Sequence, residues 1–212
     1  MRRKEIILIG DSIRWCYQEI VARETADIAQ VWGLPDCGNT WRVIKHLRDW
    51  ALTRDPDIVH VNSGLHDMAK CRKSGRYYVP LDIYKINLGR ILRIILERTE
   101  ARVILATTTP VVESRQLEDD PHRPFLRRNE DVVRYNAAAI EVATAFGVPV
   151  NDLHAKVVHA GPENLIVEDG VHFTAAGSEM LGKAVAEKIR PFLEADSGKN
   201  AMTCLAYLPD SN

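Results

Sequence analysis

Five short apolar runs alternate with segments of helical spacing, and this alternation restricts the fold more than any single motif does. The runs are Lys4–Ile9, Asp27–Trp32, Asp57–Asn62, Arg102–Thr107 and Val148–Asn151. After the first, Ile13, Cys16, Tyr17, Ile20 and Val21 recur at helical spacing. After the second, Thr40 is placed to cap a helix carrying Ile44, Leu47 and Ala51 on one face. A long helix from about Leu81 to Glu97 presents Tyr84, Leu88, Ile91 and Ile95. Val133, Ala137, Ile140 and Thr144 mark another, ended by Gly147, and a last helix from about Thr174 to Leu193 carries Leu181, Val185, Ile189 and Phe192. Strand–helix alternation predicts a parallel sheet covered on both faces. Right-handed crossovers make that a three-layer α/β/α sandwich with a five-stranded parallel sheet. Pro149 puts the fifth strand at an edge.

A chain of 212 residues, 46% hydrophobic, suffices for one well-buried domain and is short for two. The expected domain is 1–196, followed by a tail, 197–212, in which Leu205, Tyr207 and Leu208 are the docking candidates. A net charge of −1 gives no global pull toward nucleic acid or an anionic membrane. No stretch approaches the ~18 apolar residues of a membrane span, so no membrane insertion is expected. Arg2, Arg3 and Lys4 precede an apolar run of only Ile6–Ile9, stopped by Gly10-Asp11, which does not make a secretory signal. The expected compartment is the cytoplasm. Cys16, Cys37, Cys71 and Cys204 show neither C-x-x-C nor zinc-ligand spacing and read as reduced thiols, Cys37 filling a gap beside a turn.

In parallel sheets of this kind ligands bind outside the carboxyl ends of the strands. Reactive residues collect there. Gly10-Asp11-Ser12 follows the first strand, and Gly38-Asn39 the second, after the turn at Gly33-Leu34-Pro35. Gly64-Leu65-His66-Asp67 follows the third, Thr107-Thr108-Thr109 ends the fourth, and Asp169-Gly170-Val171-His172 follows the fifth after a longer loop. Ser12 at a helix head sits beside free backbone N–H groups and the positive end of the helix dipole, where a nucleophile and its oxyanion are served together. Read alone, Ser12 is a helix N-cap. Paired with His172 it is a nucleophile with a base. Imidazole is a good general base for a serine hydroxyl, and Asp169 three residues earlier accepts the other ring N–H, fixing the tautomer.

These blocks resemble those of the SGNH hydrolases, the group that contains the GDSL lipases and esterases. Gly10-Asp11-Ser12 is similar to the first block, with Ser12 as nucleophile and Asp11 in support. Gly38, followed by Asn39, is similar to the second, whose glycine N–H lines the oxyanion hole. Gly64-Leu65-His66-Asp67 is similar to the third, G-x-N-D, and Asp169-Gly170-Val171-His172 to the fifth, D-x-x-H. The resemblance spans about residues 5 to 193, and no G-x-S-x-G elbow competes with it. It implies a flavodoxin-like fold and ester hydrolysis through an acyl-enzyme. The catalytic residues are then Ser12, Asp169 and His172. The oxyanion is held by the N–H groups of Ser12 and Gly38 with His66, and Asp11, Asn39 and Asp67 support the site. No metal or organic cofactor is implied. The partner is a small-molecule ester, first among them an acetylated carbohydrate.

One position departs from the pattern: His66 stands where the third block has asparagine, a donor to the oxyanion. A neutral imidazole also donates one N–H. Alternatively Asn62 or another residue supplies the donor, or a charged His66 recognises an acidic substrate. The same site also fits an acyltransferase, and the fold alone fits a non-catalytic binding module. A nucleotide site lacks both G-x-G-x-x-G and a Walker lysine. His60, between Val59 and Val61, reads as packed structure. Lys70, Arg72, Lys73 and Arg76 with Tyr77 and Tyr78 read as a pocket wall or a solvated face, and the polar loop Glu113–Arg128, with acids Glu118, Asp119 and Asp120, as a lid or specificity loop.

Overall fold

The structure is a computed structural model that describes residues 3–33, 38–116 and 124–195. The Leu34-Pro35 turn, Cys37, the acids at 118–120, His122, Cys204 and the 197–212 tail lie outside the described residues. In chain order the elements begin β1 (Lys4–Ile9), α1 (Ser12–Glu24), β2 (Ala29–Trp32), α2 (Thr40–Leu47), β3 (Ile58–Asn62) and a two-residue β4 (Lys70–Cys71). There follow α3 (Leu81–Arg98), β5 (Arg102–Ala106), a two-residue β6 (Phe125–Leu126), α4 (Asn129–Ala145), β7 (Val150–Asn151), α5 (Leu153–Ala160), α6 (Pro162–Leu165) and α7 (Ala175–Glu194). A π-helical turn, Arg48–Leu52, extends α2. Within the segment expected to be a plain loop before Asp169, the chain forms α5 and α6.

The main sheet has the order β2-β1-β3-β5-β7, all neighbours parallel. This is the doubly wound, flavodoxin-like order, with β7 at an edge as Pro149 requires. Helices α1 and α7 pack together on one face, and α2, α3 and α4 form a row on the other. Both faces of the central strands are therefore covered, which is why Ile6–Ile9 and all of β3 are buried.

Two sequence expectations are corrected here. Thr40 does not cap α2. Asn39 does, its Oδ1 accepting from Arg42 N at 3.0 Å, and Thr40 is the first helical residue. The face of α4 is also rotated from the expected one. Val133 and Ile140 are exposed, whereas Val132, Tyr135, Ala139 and Val142 are buried. Two buried polar residues disguised that face. Asp131 is bonded by Tyr77 Oη and paired with Lys70 Nζ, and Asn136 exchanges two hydrogen bonds with the Thr108 backbone. Val133 instead lines a cleft of about 300 Å³ with Pro110, Val112, His154 and Pro162. Cys16 and Cys71 are free thiols.

His60 is packed structure, as its place in β3 predicted. Its ring is fully buried against Tyr17, its Nε2 lies 3.4 Å from Asn151 Nδ2, and its Nδ1 has no hydrogen-bond partner among the described residues. Burial holds the imidazole neutral down to about 3, against 6.5 when free. The unfolded chain binds this proton more readily, so the stability contribution is full above pH ~6.5 and is lost as pH falls toward 3. At pH 5 that loss reaches about 2 kcal/mol. His60→Leu removes it, and urea unfolding at pH 7 and pH 5 is the check. A pH dependence unchanged by the substitution would contradict the neutral assignment.

Candidate active site

The turn from β1 into α1 must approach the end of β3 closely. A Cβ on Gly10 would lie 2.5 Å from Arg14 Cβ and 2.9 Å from the Asn62 carbonyl oxygen. Only glycine fits. The next residue, Asp11, is the cap of α1, its Oδ1 accepting from Ile13 N at 2.9 Å. The capping reading of Ser12 therefore falls away, because Asp11 already fills that role. Ser12 is the first helical residue, its N–H among those with no intrahelical partner.

The freed hydroxyl meets His172. Ser12 Oγ lies 2.7 Å from His172 Nε2, and His172 Nδ1 lies 2.5 Å from Asp169 Oδ2. The other carboxylate oxygen accepts from the backbone N–H groups of Val171 at 2.8 Å and His172 at 2.9 Å. Burial raises the Asp169 carboxyl, but the hydrogen bonds from His172 and Val171 outweigh it and hold the group below its ordinary value. Gly170 makes this turn possible at φ 75°, its carbonyl accepting from Val112 N at 2.9 Å. Thus residues 157 apart and more in sequence form one hydrogen-bonded chain, Asp169–His172–Ser12, with the serine half-buried at the carboxyl rim of the sheet.

The second and third blocks are joined to each other. Asp67 Oδ1 accepts from Thr40 N at 3.0 Å and from Thr40 Oγ1 at 2.6 Å, and Asn87 Nδ2 donates to that same Oγ1 at 3.0 Å. Gly38, buried, lies two residues before Thr40. Burial pushes the Asp67 carboxyl up to about 6, the Thr40 bonds opposing and the Asp11 charge adding to the rise. His66, half-buried, sits between Asp67 and Leu65. Asn62, the alternative donor, is turned away: it is buried and its Nδ2 donates to Thr107 O at 3.1 Å. The threonines at the end of β5 are committed too. Thr107 Oγ1 donates to Asp152 Oδ1 at 2.9 Å, and Thr108 is held by Asn136.

Sequence reasoning missed Arg127 and Gln116. Arg127 Nε donates to Leu65 O at 2.8 Å, directly beside His66. Gln116 holds the Arg127 backbone from both sides, accepting its N–H at 3.0 Å and donating to its carbonyl at 3.1 Å. No spacing rule signals this clamp, since its partners come from three separate segments. Of the expected basic wall, Lys70 is tied to Asp131 at 3.0 Å and lies over the Tyr77 ring, while Lys73 and Arg76 face solvent. Among the described residues no group of three or more His, Cys, Asp or Glu side chains is arranged to hold a metal ion. Nor is any described helix long and apolar enough to cross a membrane.

A doubly wound parallel sheet whose first strand delivers a serine to a histidine and an aspartate from the last loop defines an SGNH-type hydrolase. The chain belongs to the GDSL-like lipase/acylhydrolase family, whose model matches residues 8–180, and it is a carboxylic ester hydrolase. A GDSL esterase/lipase of Arabidopsis thaliana is 27% identical, the match covering 90% of this chain and 87% of that protein. The crystal structure of a lipase/acylhydrolase from Enterococcus faecalis superposes with a TM-score of 0.71 at 26% identity, covering 89% of this chain and 96% of that one. Axe2, an acetylxylan esterase from Geobacillus stearothermophilus, shares the fold with a TM-score of 0.67 at 18% identity, covering 92% and 95% of the two chains.

Proposed function

We propose that the protein hydrolyses esters of small acyl groups, first among them acetyl esters of carbohydrates, through an acyl-enzyme on Ser12. The carrying observation is the 2.7 Å contact between Ser12 Oγ and His172 Nε2, with Asp169 orienting the ring. In this reading Ser12 Oγ attacks the ester carbonyl as His172 takes its proton. The C–O bond to the alcohol breaks and His172 returns the proton to the leaving oxygen. Water then attacks the acyl-enzyme, losing a proton to His172, and the acid departs as Ser12 recovers its hydrogen. The N–H groups of Ser12 and Gly38, with His66, hold the oxyanion. Asp67 and Asn39 set the helix start that carries Gly38, and Asp11 sets the one that carries Ser12.

Two exposed indoles support a sugar-bearing alcohol. Trp15 is in the first turn of α1 and Trp41 in the first turn of α2, three residues after Ser12 and Gly38 respectively. Both lie in the first turns of the helices whose starts carry the serine and Gly38, within reach of an alcohol portion that extends from the site. The acetylxylan esterase with the same fold acts on such a substrate class.

Acetate release from acetylated oligosaccharides and from a chromogenic acetyl ester tests the reading. Release from both supports it. Transfer of acetyl to an added alcohol without net hydrolysis would favour a transferase instead. His66 is tested in the same assay: His66→Ala is expected to lower kcat by about 10²–10³-fold, the effect of one oxyanion donor, and His66→Asn to restore most of it. Equal activity in all three proteins would remove His66 from the site.

A further inference from the structure

Arg127 is anchored beside His66 with more support than a solvent-facing arginine receives. It follows β6, which pairs antiparallel with β4, and Arg72 N donates to Pro124 O at 2.9 Å to extend that ribbon. The buried Gln116 side chain fixes its backbone from both sides, and its own Nε is spent on Leu65 O. Three segments therefore hold one half-buried guanidinium in place.

Its remaining donors meet no protein group among the described residues. Among the described residues, the two terminal Nη groups have neither a hydrogen-bond nor an ion-pair partner. Asp11 and Asp169 act on its charge from the site, against a burial that pulls the guanidinium below its ordinary value. Both carboxylates are engaged elsewhere, Asp11 on Ile13 N and Asp169 on His172 and Val171 N. A fixed planar fork anchored on the carbonyl before His66, its terminal donors unmet among the described residues, matches a carboxylate in two-point contact.

We propose that Arg127 is an anion subsite of the cleft and that the preferred substrate is an ester whose alcohol portion carries a carboxylate. The inference rests on the Ser12 esterase reading and on the small acyl group, which leaves the charge to the alcohol side. Held this way, Arg127 selects the substrate without entering the chemical steps.

The test compares 4-acetoxybenzoate with its neutral methyl ester, in wild type, Arg127→Gln and Arg127→Lys. The acyl group is the same in both probes and only the remote charge differs. Loss of a charge-assisted contact lowers the ratio of kcat/KM, anionic over neutral, by about tenfold to a hundredfold in Arg127→Gln. Arg127→Lys keeps part of the ratio, having the charge without the fork, and carries the test should the glutamine variant fail to fold. Added salt shrinks the wild-type preference. Equal losses on both probes, with the acid limb of the pH profile displaced alike, would overturn the subsite and make Arg127 a counter-charge for Asp11 and Asp169. If wild type hydrolyses neither probe, the esterase reading fails and the subsite with it. Turnover of the neutral probe that disappears in Ser12→Ala keeps the two failures apart.

Discussion

Ser12→Ala is expected to lower kcat for acetyl ester hydrolysis by roughly 10⁴- to 10⁶-fold, about 5–8 kcal/mol of barrier. The same variant keeps its stability within about 1 kcal/mol of wild type. Both halves follow from one detail. The cap of α1 is Asp11, so the helix start does not depend on the serine hydroxyl. The hydroxyl's observed partner is His172, itself half-exposed, so its removal strands no buried group. Thermal unfolding and initial rates on the same preparations provide the check. A variant that loses stability together with activity would make Ser12 structural. Retained activity would remove it from the chemistry.

The second large effect concerns Asp67 and is read as stability against pH. Its carboxyl is raised from 3.8 to about 6 in the folded protein, chiefly by burial. The native state therefore binds the proton more tightly than the unfolded chain does. Its contribution is full below pH ~4 and is lost as pH rises through about 6, a change of about 3 kcal/mol. Asp67→Asn is neutral and nearly isosteric, and its Oδ1 still accepts from Thr40. The variant should gain on wild type by about 2.5 kcal/mol between pH 4 and pH 8, measured by urea unfolding. A difference that stays constant across that range would contradict the buried, raised carboxyl. A fall of a few-fold in kcat is expected alongside, because Thr40 is held less firmly next to Gly38.

His60 has the opposite sign over an overlapping range. Below pH 6 wild type gains from protonating Asp67 while it loses from burying neutral His60, each at about 1.4 kcal/mol per pH unit. The two slopes nearly cancel between pH 4 and 6. Each single variant then exposes the other group's slope, and the double variant removes both contributions.

What could be read in the sequence follows from how local each signal is. The central strands were legible because Ile6–Ile9 is a continuous apolar run between Glu5 and Gly10, and Ile58–Val61 is apolar but for His60 between Asp57 and Asn62. The meeting of Ser12 with Asp169-x-x-His172 was legible because each follows a strand, and a parallel sheet gathers such residues on one rim. The α4 face was not legible. Its buried side includes Asp131 and Asn136, whose partners Tyr77 and Thr108 lie in distant segments. The ribbon of β4 and β6 has two residues per strand and carries no periodicity. Arg127 escaped notice for the same reason, since Gln116 and Leu65 give it meaning only in three dimensions. The cap of α2 shifted by one residue because Asn39 and Thr40 are both good caps, and Asp67 claims the threonine.

The most direct test of the central claim is the mass of the intact protein after reaction with a fluorophosphonate ester, followed by peptide mapping. A single adduct on the peptide bearing Ser12, absent in Ser12→Ala and formed much more slowly in His172→Ala, is the predicted result. An adduct on another residue, or none in a protein that turns over acetyl esters, would contradict a serine nucleophile at the head of α1.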